Sequence, residues 1–113
     1  MTRTVVARAR AIEDLSQKVD FYKREVSVEA ARKLYRAAVK TFALLAEQPG
    51  MGAPLVCATI PDLRRWRIAG FEKILIFYRY DEHNLYLIRL LHGARDLDNL
   101  LSDEREFFDR QGI

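Results

Sequence analysis

The sequence predicts an α+β domain: an antiparallel sheet, made of an N-terminal strand and a C-terminal three-stranded meander, with a helical hairpin packed on one face. Three observations carry that reading. Apolar residues alternate with period two at the start, recur with helical spacing through two middle segments, and return to β-type runs after residue 62. The only long aperiodic connection, residues 50–62, falls where the pattern changes. A strand, two helices and a tight meander then leave an open sheet under helices as the solution that buries both. With 113 residues the chain forms one domain, residues 1–113, large enough for a real core.

Thr4 to Ala11 places Val5, Ala7, Ala9 and Ala11 on one side and Thr4, Arg8 and Arg10 on the other, so a short strand is expected there. Ile12, Leu15, Val19 and Tyr22 then make the stripe of a first helix, with Glu13 and Asp14 in its opening turn, where the helix dipole favours acids. Ser27 can cap a second helix by accepting a free first-turn amide. Its apolar stripe is Ala31, Leu34, Tyr35, Ala38, Phe42, Leu45 and Ala46, and Gln48-Pro49-Gly50 ends it.

Beyond the connection, LRRWRIAG, KILIFYRY and LYLIRLLH read as three strands. They turn around Phe71–Glu72 and again at Asp81–Asn84. The segment from Arg95 through Phe108 reads as a C-terminal helix. Both faces of the last two strands are apolar. Leu75 and Phe77 oppose Ile74, Ile76 and Tyr78, while Leu85 and Leu87 oppose Tyr86, Ile88 and Leu90. One helical layer covers one face only, so the C-terminal helix or a partner chain must cover the other.

Composition narrows the function classes. Cys57 is the one cysteine, which excludes an internal disulfide and fits a small apolar packing residue in a reducing compartment. The opening MTRTVVARARAIEDL lacks the apolar core of a signal peptide, and no apolar run is long enough for a membrane span. A cytoplasmic protein without membrane contact is expected, and no metal-ligand or cofactor motif is present. Net charge is +3, yet Asp96, Asp98, Asp103, Glu104, Glu106 and Asp109 crowd the end of the chain against only Arg105 and Arg110. The rest is therefore strongly basic, which suits an acidic partner.

Several stretches carry a resemblance: DL at 14–15, Ala31 with its helix, LLAEQPGMG at 44–52, LRRWRIAGF at 63–71, FYRYDE at 77–82 and IRLLHGARDL at 88–97. In order and spacing, over residues 5–101, they resemble the RelE/ParE superfamily of toxins from type II toxin–antitoxin pairs, the plasmid-stabilisation type in particular. The resemblance implies one of two activities. RelE-like members are ribosome-dependent mRNA endonucleases, whereas ParE-like members inhibit DNA gyrase. Either kind is neutralised by a cognate antitoxin whose C-terminal segment wraps the toxin. A third possibility is a binding module on the same fold without toxicity.

Cleavage of RNA requires a group to take the 2′-hydroxyl proton, another to protonate the leaving oxygen, and cations on the phosphate. By the resemblance, Arg95 matches the basic residue beyond the last strand, and Arg65 or Arg67 matches the second-strand lysines. The third-strand arginine of RelE falls near Leu75, however, and its terminal tyrosine near Leu101; no tyrosine follows Tyr86. His92 has the chemistry for an acid or base, or it simply caps the strand end at Gly93.

The incomplete set favours grip over cleavage. Arginines fringing apolar strand surface are typical of protein-binding surfaces. The expected partner-binding residues are Arg65, Arg67, Leu75, Phe77, Arg79, Leu87, Arg89, His92 and Arg95, with Trp66 in the core. Hairpin register decides which of them converge. Even-numbered loops put Arg64 and Arg79 on the face of His92, with Arg65, Arg67 and Arg89 opposite. A three-residue first loop joins Arg65 and Arg67 to Arg79 instead.

Overall fold

A computed structural model describes residues 2–93; the expected C-terminal helix and Arg95 lie outside the described residues. The described chain runs β1 (Thr4–Ala7), α1 (Ala9–Glu25), α2 (Val28–Glu47), a 3-10 turn (Pro49–Met51), β2 (Ala53–Pro54), β3 (Arg64–Ile68), β4 (Phe71–Tyr80) and β5 (Asn84–His92). The five strands form one sheet in the order β1-β5-β4-β3-β2. The α+β architecture and the meander are as expected. The partner of β1 is the last strand, and the pairing is parallel, Thr4 opposite Asn84 through Ala7 opposite Leu87.

The first strand is shorter than its period suggests. It stops at Ala7, and the helix begins at Ala9 because alanine and arginine in ARARA favour helix once the ladder with β5 ends at Leu87. Glu13 and Asp14 therefore lie beyond the first turn, which holds no acid. Ser27 caps α2 as read, its Oγ accepting from the Ala30 amide at 3.0 Å. The buried stripe of α2 is Ala31, Leu34, Ala38, Thr41, Leu45 and Ala46, so Thr41 takes an inward position and Tyr35 stays half in water.

Helices α1 and α2 lie on one face of the sheet. Beneath them Leu34, Ala38 and Leu45 meet Ile68, Ile74, Ile76, Tyr78, Leu85, Leu87 and Leu90 in the larger core. The opposite face has a core of its own: Ile60 and Leu63, from the connection before β3, seal Phe77 and Ile88. Among the described residues this connection covers part of the face assigned to a terminal helix or a partner. Its lack of periodicity hid that role.

Tyr78 locks the entry to β2. Its hydroxyl donates to the Pro49 carbonyl at 2.6 Å and accepts from the Gly52 amide at 3.0 Å. Burial pushes the Tyr78 pKa up, which keeps the phenol a donor. The close approach also requires glycine at 52, where a Cβ would run into the Tyr78 hydroxyl and lie 2.8 Å from the Arg65 carbonyl.

Candidate partner-binding site

Register places the arginines. Arg65 pairs with Phe77 and Arg67 with Leu75, so their side chains share the face away from the helices. Arg79, two residues beyond Phe77 on the same strand, follows onto that face opposite Tyr86. The β3–β4 turn lies at Ala69–Gly70, earlier than expected, with Gly70 at φ 83°, and the register shifts between Arg67 and Ile68. Of the two arrangements open at the outset, the one joining Arg65, Arg67 and Arg79 is the one observed.

Arg65 and Arg67 are exposed, and Leu75 beside them is half-buried. The Arg67 guanidinium lies 4.9 Å from the centroid of the Trp66 ring, which restrains its long side chain. Met51, Trp66, Glu72 and Leu75 complete a groove of about 470 Å³ around the two arginines. Its lining joins two guanidiniums, the Arg67 one held against an indole, to the aliphatic side chains of Met51 and Leu75, a combination common at protein contacts. Sequence reasoning missed Met51 and Glu72 here, because one lies in the aperiodic connection and the other in the irregular stretch after the turn, where no periodicity signals a direction.

Three expected contact residues belong elsewhere. Phe77 is fully buried under Ile60 and Leu63. Leu87 pairs with Tyr78 and goes with it into the core beneath the helices. Arg89 is no rim residue: it is 5% exposed and forms a fork with Asp14 of α1, Nε to Oδ2 at 2.7 Å and Nη2 to Oδ1 at 3.0 Å. A bulge lies beside it. Phe77 faces Arg89 while the next residue, Tyr78, faces Leu87, so Ile88 is an extra residue in β5. Oδ2 of Asp14 also accepts the Leu90 amide at 3.0 Å, beyond the point where β1 ends. Burial lowers the pKa of the neighbouring Lys18, Asp14 raises it, and Arg89 adds to the lowering.

His92 is exposed and pairs with Ile74, whose side chain lies in the helix-side core. It lines a separate groove with Tyr22, Glu72 and Lys73. The structure does not bring His92 together with Arg65, Arg67 and Arg79. Arg64 points to the helix side, donating to the Gly52 carbonyl at 2.6 Å and lying 5.8 Å from the centroid of the Tyr80 ring. Trp66 is half-buried against the larger core rather than fully inside it. Among the described residues no cluster of metal-ligating side chains forms, and no helix is long and apolar enough to cross a membrane.

Residues 5–97 match the model of the ParE toxin of the type II toxin–antitoxin system parDE. The chain belongs to the ParE toxin family. No curated protein matches it. Among solved structures, this ParE-family chain is similar to a protein described as a chromosomal ParDE toxin–antitoxin system from P. aeruginosa. The TM-score is 0.65 at 18% identity, covering 81% of this chain and 97% of that one. It is also similar to a chain of the toxin–antitoxin complex RelBE2 from Mycobacterium tuberculosis, with TM-score 0.55 and 24% identity, covering 81% and 99%. At these identities the two structures support the fold. The family membership carries the toxin–antitoxin assignment.

Proposed function

We propose that this ParE-family toxin arrests growth by gripping DNA gyrase through the face bearing Arg65, Arg67 and Arg79. It works in the cytoplasm and is held inactive by a cognate antitoxin. The observation that carries the reading is that those three arginines share one face, Arg65 and Arg67 beside Leu75, while His92 lies on the other. Cations alone bind and orient; transfer of a proton from a 2′-hydroxyl needs an acid and a base beside them. Arg95, outside the described residues, is a further candidate contact in this reading. The antitoxin meets it with acidic residues and places aliphatic anchors near Leu75.

The deciding experiment uses purified protein in two assays, DNA supercoiling by gyrase and integrity of ribosome-bound mRNA. Loss of supercoiling with intact mRNA is the expected result. Cuts in A-site mRNA that Arg95→Ala abolishes overturn it in favour of the nuclease.

The second reading, a RelE-like mRNA endonuclease, is favoured by one observation. His92, Glu72 and Lys73 line a common groove, which offers an acid, a base and a cation. In that case His92→Ala abolishes mRNA cleavage, while Arg65→Ala or Arg67→Ala weakens RNA binding. Inertness in both assays and in growing cells leaves the binding-module reading.

A further inference from the structure

Strand β4 leaves its partner for three residues. Arg67 is opposite Leu75 and Ile68 opposite Phe71, so Glu72, Lys73 and Ile74 lie between paired positions with no partner of their own on β3. Strict alternation along β4 puts Glu72 with Ile74 and Ile76 on the helix side, away from Leu75 and Phe77. Bulges break such alternation and re-aim side chains. Here Glu72 lines two grooves at once, the helix-side groove of His92 and, on the other face, the groove of Arg65, Arg67 and Leu75. It is exposed. Among the described residues its carboxylate forms no ion pair with either guanidinium, although all three charges line one groove. The groove therefore presents two cations, one anion and the aliphatic side chains of Met51 and Leu75, with no charge neutralised by another.

We propose that Glu72 sets the specificity of this groove, admitting a gyrase segment that carries a basic residue beside its acidic ones. The inference rests on the gyrase reading and names the chemistry of the segment held. Charge selects that occupant over a nucleic acid. A phosphate backbone brings negative charge only, so it gains from Arg65 and Arg67 but is opposed by Glu72. A peptide can alternate the signs. Its carboxylates take the N–H edges of the two guanidiniums, an apolar side chain lies on Leu75 and Met51, and a lysine or arginine meets Glu72. Like-charge juxtaposition also rejects a segment that is acidic at every position. Glu72 thus discriminates among acidic partners that the arginines alone would accept.

The test turns on a sign. Glu72→Gln makes the chain more basic, so a merely electrostatic surface would hold an acidic partner or a polyanion more tightly. A specific contact predicts the reverse for gyrase. The full-length parent, Glu72→Gln, Glu72→Lys and a control, Glu82→Gln, are compared in gyrase supercoiling and in binding of a single-stranded RNA probe. Glu82, on the turn at the far end of β4, is 88% exposed, and its loss changes the net charge equally. Glu72→Gln should raise the concentration for half-inhibition about tenfold with melting unchanged, as loss of one charge-assisted contact would, and Glu72→Lys should raise it further. Both should bind the RNA probe more tightly than the parent, and Glu82→Gln should match the parent in supercoiling. Inhibition by Glu72→Gln equal to or stronger than the parent's overturns this inference and leaves the gyrase reading standing. A parent protein that leaves supercoiling intact overturns the gyrase reading and the inference with it, and tighter RNA binding by Glu72→Gln would then point to a nucleic acid in the groove.

Discussion

Asp14 and Arg89, on the first helix and the last strand, hold each other in a buried two-point ion pair whose side chains are 9% and 6% exposed. The carboxylate also takes the Leu90 amide, so a helix side chain satisfies the strand edge where β1 ends. Removing one partner strands a buried charge. Asp14→Ala should cost about 3–5 kcal/mol in denaturant unfolding, while the apolar pair Asp14→Leu with Arg89→Met should recover much of it. A loss under 1 kcal/mol for Asp14→Ala would show that water reaches the pair.

Gly52 and Tyr78 predict a second stability effect. Gly52→Ala should destabilise strongly, because the added methyl runs into the Tyr78 hydroxyl beside rigid backbone. Tyr78→Phe leaves a buried carbonyl and amide without their partner and should cost about 1–3 kcal/mol. Thermal melting of both variants checks this, and additive losses would argue against a shared lock.

The face away from the helices separates folding from binding. Phe77→Glu buries a carboxylate under Ile60 and Leu63 and should unfold the chain by itself, by several kcal/mol. Leu75→Glu and Arg67→Glu alter the half-open groove instead. They should leave melting nearly unchanged while weakening antitoxin binding and gyrase inhibition about tenfold or more. Titration calorimetry with the antitoxin reads the first effect and a supercoiling assay the second.

Acid should loosen the β4–β5 hairpin. The Asp81 carboxylate accepts the Asn84 amide at 2.8 Å, the His83 amide at 2.9 Å and the Tyr86 hydroxyl at 2.9 Å, and these bonds hold its pKa below 3.8. A depressed carboxyl stabilises the fold fully above its unfolded value and loses that contribution as pH falls through 3.8 and then through the folded pKa. Asp81→Asn should flatten the pH dependence of stability below pH 4. An unchanged acid limb would assign it to other carboxylates.

The sequence was legible where periodicity speaks. The Ser27 cap, the α2 stripe and the three-strand meander follow from local residue choices. The bulge at Ile88 was not legible, since one extra residue leaves an apolar run looking the same while it moves His92 opposite Ile74. A cue existed nonetheless: a lone arginine inside LIRLL had to be paired or at an edge, and Asp14 lies at helical spacing from Ala11, on the side of α1 that is buried. The cover supplied by Ile60 and Leu63 was hidden because a connection packs without a period. The convergence of Arg65, Arg67 and Arg79 depended on the β3–β4 register, which turn residues alone left open.

The parallel pairing of β1 with β5 also sets a schedule for synthesis. Thr4 leaves the ribosome early, but its ladder partner is Asn84, and Ala7 waits for Leu87. At about 5–20 residues per second the intervening chain takes roughly 4–16 s to make. During that interval the helical hairpin can form from local contacts, but the sheet cannot close. A nascent chain halted before β5 therefore has a first strand with no ladder to join. The basic face is assembled only as translation reaches the end of the domain, which gives an antitoxin already present in the cell time to arrive before the toxin is complete.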